Sequence, residues 1–151
     1  MLSLAHTLIS LPIGVYFDNP LLIFIAAFFL HLICDMIIHW NIYPHQYRRF
    51  PYKQVALDVI AGPVVAYIFL GQHLFTVPVW AAILGGNTPD VLHTIWVILK
   101  QQNKQRSLRW LNPFFRWHNH IQVETNNLLI GLTPQLSLVA LSLVLALTAA
   151  G

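Results

Sequence analysis

Histidine and aspartate side chains recur inside apolar stretches of this chain at spacings that suit a metal site. His31, Asp35 and His39 follow one another at intervals of four residues, so in a helix they lie on one face. Asp90 and His93 are three residues apart and share a helix face in the same way. Imidazole nitrogens and carboxylate oxygens together bind zinc, and similar sets hold manganese or iron. These spacings therefore predict a divalent-metal centre.

Further candidate ligands lie before and after these two segments, from His6 to His120. We expect metal ligands among the following side chains: His6, His31, Asp35, His39, Asp90, His93, His118 and His120. One tetrahedral ion cannot use all of them, so the set predicts either two ions or one ion with further carboxylates that orient the imidazoles. His120 and Glu124 share a face if the chain is helical there, whereas His118 and His120 share one only if it is extended; we favour the helix.

The composition of the chain indicates that these polar groups lie in a membrane protein. Of the 151 residues, 57% are hydrophobic and only 9% are charged, and the mean hydropathy is +0.63. A soluble domain is roughly 25% charged. The apolar content excludes a disordered chain, and the single cysteine excludes a disulfide scaffold. We therefore predict one membrane domain that covers residues 1–151.

Five apolar segments account for most of the chain and predict its helices. They are residues 2–17, 21–40, 55–70, 77–99 and 128–150. The first is short for a span, which takes about 20 residues, and residues 18–20 give a strong turn signal after it. Residues 85–89 of the fourth segment predict a broken helix that restarts with Thr88 as its N-cap. The expected fold is an all-α integral membrane bundle of four to five spans, one of them broken.

The basic residues predict the orientation of this bundle. All of them lie in two stretches, residues 48–53 and 100–116. Because basic loops stay in the cytoplasm, we expect the N-terminus and both stretches on the cytoplasmic side of a bacterial-type inner membrane. Residues 107–125 mix aromatic and basic side chains, which is typical of an amphipathic helix in the headgroup layer. A role in nucleic-acid binding is disfavoured, because this stretch is tethered between two spans.

The predicted orientation places the polar residues of separate spans at a similar depth. With a rise of about 1.5 Å per residue, Asp35 and His39 lie in the cytoplasmic half of the second span. Asp58 lies near the cytoplasmic start of the third, and Asp90 and His93 lie past the midpoint of the fourth. An ionisable group inside a span is costly, so groups that gather at one depth indicate a functional site.

Several short motifs resemble those of a known family. They are His6-Thr7, residues 31–35, residues 88–93 and residues 117–120. Together they resemble the motif set of the bacterial inner-membrane family of membrane-bound metal-dependent hydrolases. The spacing of His and carboxylate residues is also similar to that of the all-helical zinc-dependent phospholipase C superfamily. The resemblance implies a helical metal site, expected to hold zinc or alternatively manganese, that hydrolyses a phosphoester, possibly in a lipid.

The predicted function is therefore a metal-dependent hydrolase whose site faces the cytoplasmic leaflet. We expect Asp58, Asp90 and Glu124 to be its catalytic carboxylates. Two alternatives remain open: a metal or proton transporter, since intramembrane His and Asp residues also form relays, and a non-catalytic scaffold or partner-binding protein. Single residues also have structural explanations, since His31 can join two helices by a hydrogen bond and Asp58 can pair with nearby basic residues.

Overall fold

The computed structural model describes residues 1–42, 51–101 and 109–150, and in these ranges the chain is helical. In chain order the elements are α1 (Ser3–Tyr16), α2 (Pro20–Asp35), α3 (Tyr52–Leu70), a 3-10 helix (Gly71–Phe75), α4 (Val77–Gln101), α5 (Asn112–Ile121) and α6 (Leu128–Ala150). The predicted all-α class is confirmed. Four of the eight basic residues that predict the orientation lie outside the described residues: Arg48, Arg49, Lys104 and Arg106.

The turn predicted at residues 18–20 separates α1 from α2. Pro20 occupies the first turn of α2, and the Asn19 side chain accepts hydrogen bonds from the backbone N–H groups of Leu21 and Leu22. This cap satisfies donors that a helix start otherwise leaves without partners. At its other end α2 stops at Asp35, five residues before the end predicted from the apolar pattern.

The helix α1 forms the centre of the bundle. It packs against α2, α3, α4 and α6, and most of its side chains are buried. The outer faces of α2, α3 and α6 expose many large apolar side chains, for example Phe29, Ile68 and Leu136. Contiguous apolar surface on this scale is typical of a face that meets lipid or another protein.

The predicted break in the fourth apolar segment is wrong, because α4 runs without interruption from Val77 to Gln101 with Pro89 inside it. The two glycines of this stretch lie where α4 packs closely against α1 and α2. A side chain at Gly85 would collide with the backbone of Phe24 in α2, and one at Gly86 would collide with the Ser10 side chain in α1. Thr88 is not an N-cap; its hydroxyl donates to the carbonyl oxygen of Leu84 at 2.6 Å. Tight contact between helices therefore explains the small residues.

Two described helical stretches are long and apolar enough to cross a membrane: Tyr52–Phe75 and Leu128–Ala149. The helices Ser3–Tyr16 and Pro20–Asp35 are apolar but shorter. A tilted helix of about 20 residues matches the hydrocarbon core, whereas 14 to 16 residues reach only about 21 to 24 Å.

The predicted amphipathic helix is present as α5. Phe115 and His118 are buried on one side of it, whereas Arg116 and Trp117 are exposed. Leu111 is the N-cap residue, and the Asn112 side chain accepts a hydrogen bond from the Trp96 indole at 2.9 Å. The helix ends at Ile121. Glu124 is therefore outside it, and the prediction that His120 and Glu124 share one helix face is wrong.

Ends of several helices meet at one end of the bundle. The start of α1, the end of α2, the start of α3 and the second half of α4 meet at one end of the bundle, beside α5. At this end the Gln135 side chain of α6 accepts from the Leu2 N–H and donates to the Trp40 carbonyl. At the opposite end Tyr16 contacts Thr148. The polar residues of the sequence thus converge on one end of the fold.

Candidate metal centre

The carboxylate of Asp35 lies at the middle of a cluster of imidazoles. Asp35 is the last residue of α2 and its side chain is 0% exposed. The Nε2 atoms of four buried histidines lie near its oxygens: His6 at 3.2 Å and His39 at 3.8 Å from Oδ1, and His31 at 3.2 Å and His118 at 3.1 Å from Oδ2. The structure therefore brings together five of the predicted ligands, from α1, α2, the segment after α2 and α5.

A short parallel backbone bridge holds two of these imidazoles in place. After the end of α2, the His39 N–H donates to the Val123 carbonyl at 3.0 Å, and the Thr125 N–H donates to the His39 carbonyl at 2.9 Å. The Val123 N–H in turn donates to the Asp35 carbonyl at 3.0 Å. These bonds fasten the segment after α5 to the end of α2. His118, one turn before the end of α5, is thereby held against the Asp35 carboxylate.

Asp90 approaches the same cluster from α4. Its Oδ2 lies 3.9 Å from His6 Nε2 and its Oδ1 lies 3.7 Å from His31 Nε2. The Asp90 side chain is 23% exposed, whereas that of Asp35 is fully enclosed. The cluster therefore has one sealed carboxylate and one that faces both the imidazoles and the exterior.

The hydrogen bonds of two imidazoles place a proton on Nδ1, which leaves Nε2 as the nitrogen that can bind a metal. The Nδ1 atom of His31 lies 2.7 Å from the carbonyl oxygen of Gly86, and Nδ1 of His39 lies 2.8 Å from that of Ile37. A carbonyl oxygen only accepts, so each Nδ1 must carry the proton. Burial, reinforced by the nearby α-ammonium group, lowers the pKa of His39, which lies beyond the end of α2. The neutral ring then presents the Nε2 lone pair to the cluster.

Several buried nitrogens of the cluster lack hydrogen-bond partners within the part of the chain that the structure describes. They are His31 Nε2, His39 Nε2 and His118 Nδ1. The two Nε2 atoms lie 3.2 and 3.8 Å from oxygens of Asp35, but neither contact has the geometry of a hydrogen bond. Leaving a buried polar atom without a partner costs about 1–3 kcal/mol. A cation bound at such an Nε2 atom would remove that cost.

The donor atoms are close enough together to share an ion. The ligand atoms of His6, His31 and Asp90 all lie within 4.8 Å of one another, as do those of His31, Asp35 and His118. Ligands about 2.0–2.1 Å from a tetrahedral zinc lie roughly 3.3 Å apart. The contacts of 3.1 to 3.9 Å around the two carboxylates bracket that value. The residues present therefore fit a divalent ion.

The α-amino group of Met1 also contacts this cluster. It donates to Asp35 Oδ1 at 2.7 Å and is fully buried there. An ammonium group at this position shows that the surroundings of Asp35 Oδ1 accommodate positive charge.

Four of the predicted site residues lie around the cluster rather than in it. His93 stacks on Phe115 and its ring centre lies 6.1 Å from that of His118. His120 is exposed on another side of α5. Glu124 is exposed and accepts a hydrogen bond from the Asn41 side chain at 3.2 Å. The fourth residue, Asp58, binds the start of α1.

Gln122 belongs to the cluster and was not predicted from the sequence. Its Nε2 donates to Asp35 Oδ2 at 3.0 Å. Gln122 follows His118 by four residues, and its N–H still donates to the His118 carbonyl oxygen at 3.2 Å, so the last helical turn places both side chains on one side; this spacing was the available signal.

A cavity of about 720 Å³ lies beside the cluster. Its apolar lining includes Val55 and Val59 of α3 and Val91 and Ile95 of α4. Its polar lining comes from the following residues: Ser3, Asn41, Asp58, Asp90, His93, Thr94, Asn119, Gln122 and Glu124. A ligand in this cavity would therefore contact Asp90, one of the carboxylates of the cluster, and the apolar faces of two helices at once.

Comparison of the chain with protein-family models, curated proteins and solved structures gives no match. The resemblance to metal-dependent hydrolases therefore stays a prediction from short motifs.

Asp58 caps α1, which predicts a structural effect of its removal. Its Oδ2 accepts from the Ser3 N–H at 2.8 Å and its Oδ1 from the Leu4 N–H at 3.1 Å. We expect Asp58→Ala to lower the free energy of unfolding by about 0.5–2 kcal/mol and to leave bound metal unchanged. Thermal unfolding in detergent and elemental analysis measure the two effects. Loss of metal at an unchanged melting temperature would instead make Asp58 part of the metal centre.

Proposed function

We propose that this chain is a multi-pass membrane protein that hydrolyses a phosphoester at a divalent-metal centre, with zinc as the expected ion and manganese as the alternative. The observation that carries the proposal is the convergence of four buried imidazoles on the Asp35 carboxylate, beside a cavity that Asp90 also lines. At such a centre a bound ion polarises a phosphoryl oxygen and makes a bound water acidic enough to attack near neutral pH.

Different residues of the cluster have different proposed roles, as metal ligands or as the group that accepts a proton. A bound ion would be held at Asp35 by the histidines around it, of which His31 and His118 bring their ligand atoms within 4.8 Å of one another and of the carboxylate. Asp90, the partly exposed carboxylate, is placed to accept a proton from attacking water, because it touches both the imidazoles and the cavity. The sealed position of Asp35 keeps bulk water away from the ligands and strengthens their electrostatic interaction with a cation.

The proposed placement in the membrane follows from the charge pattern and the helix directions. The basic residues that the structure describes at the start of α3, before α5 and in α5 lie at the end of the bundle that carries the cluster: Lys53, Arg109 and Arg116. By the positive-inside rule this end faces the cytoplasm. We propose that α1, α2 and α4 cross the membrane together with α3 and α6, and that α5 lies in the headgroup layer.

The lining of the cavity supports an amphiphilic substrate. Val59, Val91 and Ile95 are exposed apolar residues on the cavity walls, while His93 and Gln122 supply polar groups. A phosphate headgroup at the polar side would leave an acyl chain beside α3 and α4. This favours a lipid phosphoester over a water-soluble one.

The test is hydrolysis by purified protein in detergent, stripped by chelator and reloaded with zinc or manganese. The panel contains phosphomonoesters and phosphodiesters, each as a long-chain lipid in mixed micelles and as a water-soluble compound. We expect chelator-sensitive release of phosphate or alcohol that the metal restores. His118→Ala should abolish release, whereas His73→Ala, an exposed histidine at the other end of the bundle, should not affect it. Metal-loaded protein that is inactive on the whole panel would overturn the proposal.

A further inference from the structure

Among the described residues, three exposed aromatic side chains have exposed basic neighbours at the end of the bundle that carries the cluster. Tyr52, Trp110 and Trp117 are 59%, 75% and 49% exposed. Their basic neighbours in the sequence are Lys53, Arg109 and Arg116. At the opposite end, residues 18–20 and 71–76 contain no Lys or Arg. In the part of the chain that the structure describes, these pairs therefore lie at one end of the fold only.

Paired aromatic and basic side chains suit the boundary between lipid and water. Trp and Tyr rings are enriched at the level of the lipid headgroups, because they have an apolar body and a polar edge. Lys and Arg lay their aliphatic stems along apolar surface and keep the charged group in the polar layer. There the charge is attracted to anionic lipid headgroups. The three pairs therefore favour a membrane surface that carries negative charge.

The helix α5 packs beside other helices rather than beyond their ends. The ring centre of Phe114 lies 6.2 Å from that of Phe28 in α2, and the ring centre of Phe115 lies 5.3 Å from that of Trp96 in α4. Phe28 lies seven residues before Asp35, the last residue of α2, which is about 10 Å along the helix. The outer face of α5 therefore meets whatever surrounds the side of the bundle, which in the proposed placement is the headgroup layer.

The two faces of α5 have different partners. Phe115 and His118 are buried, and His118 Nε2 lies 3.1 Å from Asp35 Oδ2. Arg116 and Trp117 are exposed on the other face. The helix has only 10 residues, and isolated helices shorter than about 12–15 residues are marginal in water. Its position therefore depends on its contacts, and a ligand that holds the exposed face also holds His118 at the cluster.

We infer that the outer face of α5, the residues before it and the start of α3 form a surface that binds anionic phospholipid of the surrounding leaflet, and that this lipid holds His118 at Asp35. The inference rests on the proposed membrane placement and metal centre and adds a lipid that regulates them. The positive charge of the surface comes from Lys53, Arg109 and Arg116. Because the lipid and the cation both favour the docked position of α5, each raises the affinity of the other.

The first experiment measures hydrogen exchange of residues 109–121 in the metal-free full chain. The protein is placed in nanodiscs of phosphatidylcholine alone or of an equimolar mixture with phosphatidylglycerol. We expect slower exchange in the mixed nanodiscs. The double variant Arg109→Gln/Arg116→Gln should lose this difference, because each basic residue near an anionic surface strengthens attachment about fivefold. The matched control Arg109→Lys/Arg116→Lys keeps the charge and should retain the difference.

The second experiment measures zinc affinity of the same proteins in the same nanodiscs. An anionic surface concentrates zinc near any protein, so the quantity compared is the ratio of the Kd in phosphatidylcholine to the Kd in the mixed nanodiscs. We expect this ratio in the parent protein to exceed that of the Gln double variant by about fivefold or more. The Lys double variant should give the ratio of the parent protein.

The outcomes separate the inference from its basis. Equal exchange in the two kinds of nanodisc, or a difference that the Gln double variant retains, contradicts the lipid surface, whether or not the protein binds metal. Slower exchange together with equal zinc ratios in the parent protein and the Gln double variant contradicts the link between the lipid and His118. No zinc binding in either kind of nanodisc contradicts the proposed function, and the exchange measurements still decide whether the surface binds anionic lipid.

Discussion

Asp35→Ala is expected to remove essentially all bound metal, because every imidazole of the cluster faces this carboxylate. Four Nε2 atoms lie within 3.8 Å of its oxygens, so its loss takes away the negative charge that holds a cation among neutral rings. Loss of an outer partner of a metal ligand already costs 10–100-fold in affinity. Removal of a shared ligand should exceed that range. Titration of stripped protein with zinc, followed by calorimetry, measures the affinity.

Asp18→Ala is the matched control for this experiment. Asp18 is exposed in the turn between α1 and α2, at the end of the bundle away from the cluster, so we expect unchanged affinity. Asp35→Asn separates charge from shape, because it keeps the size of the side chain and a carbonyl oxygen. We expect it to lose metal almost as completely. Zinc affinity equal to that of the parent protein in Asp35→Asn would show that Asp35 is not a ligand.

Val91→Trp is expected to lower hydrolysis of a long-chain lipid phosphoester by about tenfold or more while metal content stays the same. Val91 lines the cavity on α4 and is 48% exposed, so an indole there occupies the space proposed for the acyl chain. Changes in pocket contacts of this kind are worth about 10–200-fold in discrimination. The measurement is the ratio of kcat/KM for the long-chain substrate to that for a water-soluble phosphoester.

Val64→Trp is the control for added bulk on a helix surface. Val64 is an exposed residue of α3 that is not among the residues that line the cavity. We expect its ratio of long-chain to soluble hydrolysis to match that of the parent protein. An equal fall for both substrates in Val91→Trp would show that the chain of the substrate does not lie between α3 and α4.

The helical class and several helix boundaries could be predicted because apolar runs and turn residues are local signals. The start of α2 follows directly from Asn19 and Pro20, a cap and a first-turn residue. The unbroken course of α4 could not be predicted in this way. Glycine and a proline a few residues later predict a helix break when only the local sequence is considered. In the structure, Gly85 has another reason, because any side chain there would collide with the backbone of Phe24 in α2.

The sequence was enough to predict that the candidate centre consists of His and Asp side chains. It was not enough to predict which of the His residues lie in the cluster. A common depth in separate helices brought Asp35, His39, Asp90 and His93 into one prediction. The structure places the first three around one cluster of imidazoles, whereas His93 packs on Phe115 beside it. His118 and His120 lie two residues apart, and nothing in the sequence indicates which of them is buried. The exact end of α5 and its docking on α2 decide that His118 is buried and His120 exposed. Such an orientation depends on tertiary contacts, which a local pattern does not contain.

The order of the ligands along the chain has a consequence for biogenesis. Asp35 is synthesised early, but His118 comes 83 positions later. In the proposed membrane placement, α2 carries a carboxylate without its full complement of partners until α5 docks, at a cost of a few kcal/mol on insertion scales. We therefore expect a chain cut before α5 to form a less stable bundle than the full chain, because Asp35 lacks its contacts with His118 and Gln122 until the last part of the sequence has been made.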